Sequence, residues 1–187
     1  MLTLWKEEVF KYDGTQLKPL WNYLEHGLLG TSCVAWRGPC DVSFEQMKDG
    51  EDLRDASAIR GEDMLHFIFE IFDEKLFAGV SFQRLVADLA RSTAQSLGKG
   101  PALPLLREGD DVWSADRMKK LSISVAIPTL NSTLIHFAVN VSNRGTPVPT
   151  LALEDLQIDP KTFAEVLMKK CSDEYLSIRE ATWKVRS

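Results

Sequence analysis

Apolar and polar residues alternate most regularly between residues 119 and 141. Leu121, Ile123, Val125 and Ile127 hold the odd positions of one segment, and Thr133, Ile135, Phe137, Val139 and Val141 those of the next. A period of two is the signature of a half-buried strand, so adjacent antiparallel strands are predicted over 121–127 and 133–141, joined by a turn at 129–131. Residues 2–12 read as a first strand ended by Asp13-Gly14. Leu17, Leu20, Trp21, Leu24 and Leu28 then recur at helical spacing, with Thr15 as cap and Gly27 as stop. A short strand over 31–37 is predicted to stop at Gly38-Pro39. Residues 45–63 carry seven acidic residues against Lys48, Arg54 and Arg60, a net of −4, and read as an exposed connection.

Met64, Leu65, Phe67, Ile68, Ile71 and Phe72 give a helix with a broad apolar face, and 80–97 a longer one ended near Gly98. Strand-like pieces at 103–106 and 111–114 flank the turn Glu108-Gly109-Asp110. Asp159-Pro160 is a cap followed by proline at the first helical position, opening a helix through Lys170, with a last short helix over 175–184. The chain contains no internal repeat and no low-complexity linker. The expectation is a single α+β domain over residues 1–187, with a mostly antiparallel sheet covered by helices.

Pairing odd with odd across the 129–131 turn puts the even positions on the opposite face, where Lys120, Ser122, Ser124, His136 and Asn140 converge. Small hydroxyl residues beside one lysine leave room for a polar or anionic ligand. Two readings stand for these residues: a ligand face, or a solvated strand-end lysine and a half-buried histidine with its bonds satisfied. Lys119 is the register alternative to Lys120, with the opposite parity.

Composition narrows the function classes. The 187 residues include 22 Lys and Arg against 27 Asp and Glu, a net charge of −5, which disfavours a surface built to coat nucleic acid or anionic membrane. Cys33, Cys40 and Cys171 are odd in number and lack metal-ligand spacing, so no disulfide framework and no metal site is expected. A reducing cytoplasm is the expected location. The start Met1-Leu2-Thr3-Leu4-Trp5-Lys6-Glu7 lacks the pattern of an export signal. The longest uncharged stretch, 121–143, contains Pro128, three Asn, His136 and six Ser/Thr hydroxyls, and is not expected to span a membrane. Asp110-Asp111 and Glu154-Asp155 read as solvated turn carboxylates, and His66 as a packing residue.

Two resemblances meet at these residues. Through Tyr12-Asp13-Gly14, Gly27-Leu28-Leu29-Gly30, residues 37–42, Met64-Leu65-His66-Phe67, residues 120–126 and Gly145-Thr146-Pro147-Val148, the chain resembles a prokaryotic family, domain of unknown function family 366. Residues 111–141 are similar to the core of the biotin and lipoate protein ligases and octanoyltransferases, which carry a Lys followed by Ile or Leu and small residues on one strand. Their next strand is an aliphatic run ending in Asn-Val or Asn-Leu, here Phe137-Ala138-Val139-Asn140-Val141.

The second resemblance implies a ligase-like fold, related to class II synthetases. It also implies an enzyme handling a small carboxylic acid or acyl group, with ATP or an acyl thioester as co-substrate and an acceptor protein as partner. Lys120 would stabilise negative charge at the acyl end, His136 would assist catalysis, and Ser122, Ser124 and Asn140 would line the site with Arg37 on an anionic portion. Octanoyltransferases place a nucleophilic Cys before a Gly, where this chain has Asn143-Arg144 before Gly145. The glycine-rich nucleotide loop of the ligases is represented only by Arg37-Gly38-Pro39. A non-catalytic ligand-binding or regulatory protein of the same fold is therefore the alternative, and an RNA-modification partner a third.

Overall fold

The computed structural model describes residues 1–99 and 104–186, so Leu103 of the expected 103–106 strand lies outside the described residues. A five-stranded sheet has the order β1-β2-β3-β7-β6. Strand β1 (Leu2–Trp5) is parallel to β2 (Ser32–Val42), and all other neighbours are antiparallel: β2 with β3 (Ile59–Phe72), β3 with β7 (Ser132–Asn140), and β7 with β6 (Ser122–Pro128). The hairpin of β4 (Leu105–Glu108) and β5 (Asp111–Ser114) turns at Gly109, as expected.

The long helices α3 (Leu76–Leu97) and α4 (Pro160–Trp183) cover one sheet face. Phe82, Val86 and Ala90 of α3, with Phe163, Leu167 and Cys171 of α4, pack there against Ala35, Leu65, Phe67, Phe69, Ile135, Phe137 and Val139. The second face carries Val34, Trp36, Met64, Ile68, Leu134 and Ala138 beneath Tyr12, Leu17 and Trp21. Removing that much apolar surface from water on both sides is the main stabilising term.

Residues 64–72 form the central strand β3, not a helix. Leu65, Phe67, Phe69 and Ile71 face the long helices while Met64 and Ile68 face the other side. Burial on both faces removes the polar alternation, and the two apolar sets together mimic helical spacing. Strand β2 likewise continues through Gly38-Pro39, with a bulge between Gly38 and Cys40 that accommodates a proline lacking an N–H.

The expected 2–12 strand ends at Trp5; beyond it Phe10 stacks on Trp36 of β2, and Tyr12 bridges Cys40. Helix α1 is confined to Trp21–His26. Leu20 takes φ 62° at its start and is held by its N–H to the Glu70 carboxylate at 3.0 Å. Thr15 does not cap α1, because its N–H and hydroxyl both bond Asp13. Gly27 does end it in the left-handed conformation (φ 72°). The 45–63 segment is structured: a 3-10 turn (Phe44–Gln46), then α2 (Gly50–Asp55) capped by the Asp49 carboxylate, then the start of β3. Asp159 caps α4 as expected, but α4 runs unbroken to Trp183.

A β-carbon at Gly38 would lie 1.9 Å from the Phe10 carbonyl oxygen, which also accepts the Trp36 indole N–H at 3.0 Å. Gly38→Ala should therefore lower stability by roughly 1–3 kcal/mol or more, since the obstacle is backbone that cannot rotate aside. A thermal melt coincident with wild type would contradict the close approach.

Candidate functional site

Lys120 stands just before β6, bridged to Trp113 on one side and Thr150 on the other. Leu121 packs into the helix-side core and turns Lys120 toward the opposite face, into a cleft of about 530 Å³. Its ammonium lies 2.7 Å from an Asp111 carboxylate oxygen and 5.0 Å from the Trp113 ring centre, so ion pairing and a cation–π contact hold it together. The side chain retains 27% exposure. Asn140 fixes this corner by donating from its amide to the carbonyls of Lys120 (3.1 Å) and Leu151 (3.2 Å).

The cleft wall is acidic. Asp49, Glu51, Asp52, Asp110 and Asp111 face Lys120 and Arg60. Burial pushes the Asp111 carboxyl above its usual range, opposed by the Lys120 hydrogen bond and reinforced by Asp110 and Asp52. Burial and the neighbouring Asp49 likewise raise Asp52. A ligand carboxylate or phosphate reaching Lys120 meets Asp111 beside the ammonium, and protonation of these acids lowers the repulsion. Among the described residues, no group of His, Cys, Asp and Glu is arranged to hold a metal ion.

The five even-numbered residues do not share one face. Pro128 pairs with Thr133, leaving the four residues 129–132 in the turn, and Ser124 pairs with Phe137 and Val125 with His136. A four-residue connection matches even with odd, so Ser122 and Ser124 lie on the helix side. Ser122 accepts the Val112 N–H at 2.9 Å and is fully buried; Ser124 bonds Gln83 and Asp110, each at 2.8 Å, and only edges the cleft. Leu121 and Ser122 both turn to the helix side, and this break in the alternation leaves Lys120 on the face of His136 and Asn140.

Arg37 is not at the cleft. It makes a bidentate pair with Asp63 at 2.6 and 2.7 Å and senses Asp159 at the start of α4. Arg37 therefore does not contact an anion bound at Lys120. Lys119 is exposed, against its parity, which would have turned it toward the apolar face.

His136 is 3% exposed, stacked under Tyr12 with ring centres 3.6 Å apart, and its Nε2 lies 3.2 Å from His66 Nδ1. His66 in turn contacts the Gly38 carbonyl at 3.1 Å. Burial lowers His66 to about 4, and burial with the neighbouring His66 lowers His136 well below its ordinary value. Both rings are neutral at pH 7.

The sequence did not place Tyr12, His66, Asp111 or Trp113 at the site: His66 read as a packing residue and Asp111 as a solvated turn carboxylate. Period-two reading of residues 64–68 would have placed His66 on the face of Met64 and Ile68. Asp111 was legible as a strand-start acid one hairpin from Lys120, but adjacent acids at a turn are ordinarily solvated.

Cys33, Cys40 and Cys171 are buried free thiols. Burial pushes Cys40 up to about 12 and the other two upward as well, so none supplies a thiolate nucleophile at neutral pH. Titration with a thiol reagent should find three reactive groups after denaturation without reductant and slow reaction in the native protein. Fewer than three in the unfolded chain, or fast native labelling of Cys40, would contradict this.

Among the described residues, no helix is long and apolar enough to cross a membrane. The fold is shared with proteins of solved structure. A protein of unknown function from Pyrococcus horikoshi superposes with a TM-score of 0.90 at 35% identity, covering 100% of this chain and 97% of that one. The biotin protein ligase of Aquifex aeolicus in complex with biotin and ATP matches with a TM-score of 0.60 at 17% identity, over 96% of this chain and 72% of the ligase. A candidate lipoate protein ligase from T. acidophilum with bound lipoic acid matches at 0.55 and 11% identity, over 76% and 71%. The last two likenesses establish an α+β biotin/lipoate ligase-like fold. The family model for the domain of unknown function DUF366 matches residues 1–186, and this chain belongs to that family.

Proposed function

We propose that the Lys120 cleft binds a small carboxylic acid or its acyl derivative, with the carboxyl end on the Lys120 ammonium, as the substrate of ligase- or acyltransferase-type chemistry. The observation that carries this reading is the lysine itself. It is a mostly shielded cation in the wall of a cleft of about 530 Å³, anchored by Asn140 through its own carbonyl, in a fold shared with a ligase that binds biotin. A fixed cation in a partly water-excluded site stabilises a carboxylate, or the oxyanion of an acyl-transfer step, more than it would in bulk solvent. The site roles are Lys120 on the carboxyl group, Asn140 positioning Lys120, and Ser124 at the rim. Ser122 and Arg37 have structural partners and no part in it.

A second reading, a non-catalytic ligand-binding protein of the same fold, is favoured by the five carboxylates facing Lys120 and Arg60. A nucleotide triphosphate entering that cleft meets an acid excess. The two readings separate in one thermal-shift panel of biotin, lipoate, octanoate, an acyl-CoA and ATP. Stabilisation by an acid together with ATP, or by an acyl-CoA, supports the enzyme. Stabilisation by an acid alone, unchanged by ATP, supports the binding protein. A flat panel would remove the proposal.

A further inference from the structure

The paired histidines beneath the cleft carry one more step. The Gly38 carbonyl oxygen can only accept, so the 3.1 Å contact places a proton on His66 Nε2. In a neutral ring His66 Nδ1 is then bare, and the 3.2 Å contact makes His136 Nε2 the donor to it. His136 Nδ1 is left as an acceptor, its tautomer set by a relay that starts at a main-chain carbonyl. Tyr12 stacks on the ring and fixes its plane.

A slot of about 40 Å³ opens against His136, walled by Tyr12, Met47, Ile59, Ile123 and Val125. It adjoins the Lys120 cleft, since Asp49, Asp52, Ile59, Ile123 and Ser124 line both. Besides the histidine and these apolar walls, its lining carries Gln46, Lys48, Asp49, Asp52 and Ser124, and it has room for one small group. Val125, the cross-strand partner of His136, lies five residues along β6 from Lys120. Lysine and histidine therefore stand roughly 16 Å apart along the strand.

We propose that His136 Nδ1 is the hydrogen-bond acceptor at the closed end of the ligand site, and that the ligand is a carboxylic acid bearing a neutral O–H or N–H donor at the end remote from its carboxyl group. This inference rests on Lys120 holding the carboxyl end. A plain alkyl tail in the slot would leave the histidine acceptor buried and unpaired, which a donor-bearing tail avoids.

Two acid pairs of equal length, 8-hydroxyoctanoate against nonanoate and 10-hydroxydecanoate against undecanoate, differ only in O–H for methyl at the far end. Their affinities are measured by calorimetry on wild type and Lys120→Ala. Long-range proton–nitrogen spectra of the histidine-labelled wild-type protein then report the state of His136 Nδ1. The expected result is a bare Nδ1 in the free protein, roughly tenfold tighter binding of the hydroxy acid in at least one pair, and a shift of the Nδ1 resonance with that acid only. A protonated Nδ1, an unmoved resonance, or no preference for the hydroxy acid in either pair would overturn the role of His136. If both members of a pair still weaken in Lys120→Ala, the lysine site survives that failure. Binding of none of the four acids would overturn both.

Discussion

Replacing Phe137 by Ala should lower the stability of the folded chain by about 3–5 kcal/mol. Phe137 is fully buried at the centre of β7, its ring 6.3 Å from that of Phe67 on β3, within the core that α3 and α4 cover. The substitution removes the ring from both neighbours, and the flanking strands are too well paired to collapse into the space. Urea unfolding followed by far-UV circular dichroism measures it. A midpoint within error of wild type would mean that the odd positions of β7 are not the helix-side core.

Lowering the pH from 7 toward 4 should cost stability through the histidine pair, on the order of 3 kcal/mol from His66 alone by the time pH reaches its folded-state value. His66 is lowered to about 4 in the folded protein, against an ordinary value near 6.5, and His136 is shifted in the same direction. Between those values the unfolded chain binds a proton that the folded chain refuses. Unfolding free energy therefore falls as pH falls through this window, is fully present above about 6.5, and stops changing from His66 once pH drops below its folded value. His26, lowered by partial burial, acts with the same sign. Asp111 and Asp52, raised by burial, act against it, because the folded protein takes up their protons first. Urea midpoints at half-unit steps, paired with histidine ring-proton titration, check the account. Ordinary titration of His66, or a midpoint that rises steadily from pH 7 to 5, would contradict it.

The sequence was most readable where polar residues or turn chemistry mark an element's period and ends. Helix α3, the Asp159-Pro160 start of α4, the Gly109 hairpin and the antiparallel β6–β7 pair all emerged from periodicity and local turn chemistry. Strand β3 did not, because burial on both faces erases the alternation that distinguishes a strand from a helix. The cue that remained was the run Phe67-Ile68-Phe69 with Ile71 and Phe72, rich in aromatic and β-branched residues.

At the site, Lys120 was legible and its company was not. Its orientation depends on Leu121, but the serines beyond it depend on whether three or four residues turn at Thr129. Thr129 settles this by closing a loop in which its N–H bonds the Ser132 carbonyl at 2.8 Å and its hydroxyl bonds Ser132 as well. One residue more in that turn moves Ser122 and Ser124 to the other side of the sheet. The bidentate Arg37–Asp63 pair joins β2 to the segment entering the core of β3, a contact invisible while 64–72 read as a helix.

The central claim is that Lys120 receives a carboxyl group, and calorimetry on Lys120→Ala with the matched control Lys119→Ala tests it most directly. The acid that raises the melting temperature most in the panel of biotin, lipoate and octanoate is the titrant. Lys119 has the same charge and an adjacent position but lies exposed outside the cleft. Loss of a charge-assisted hydrogen bond predicts binding weakened by about 1.5–3 kcal/mol, roughly ten- to a hundredfold, in Lys120→Ala. Lys119→Ala should bind like wild type. Equal affinities for all three proteins would contradict the account and leave Lys120 as the partner of Asp111 alone.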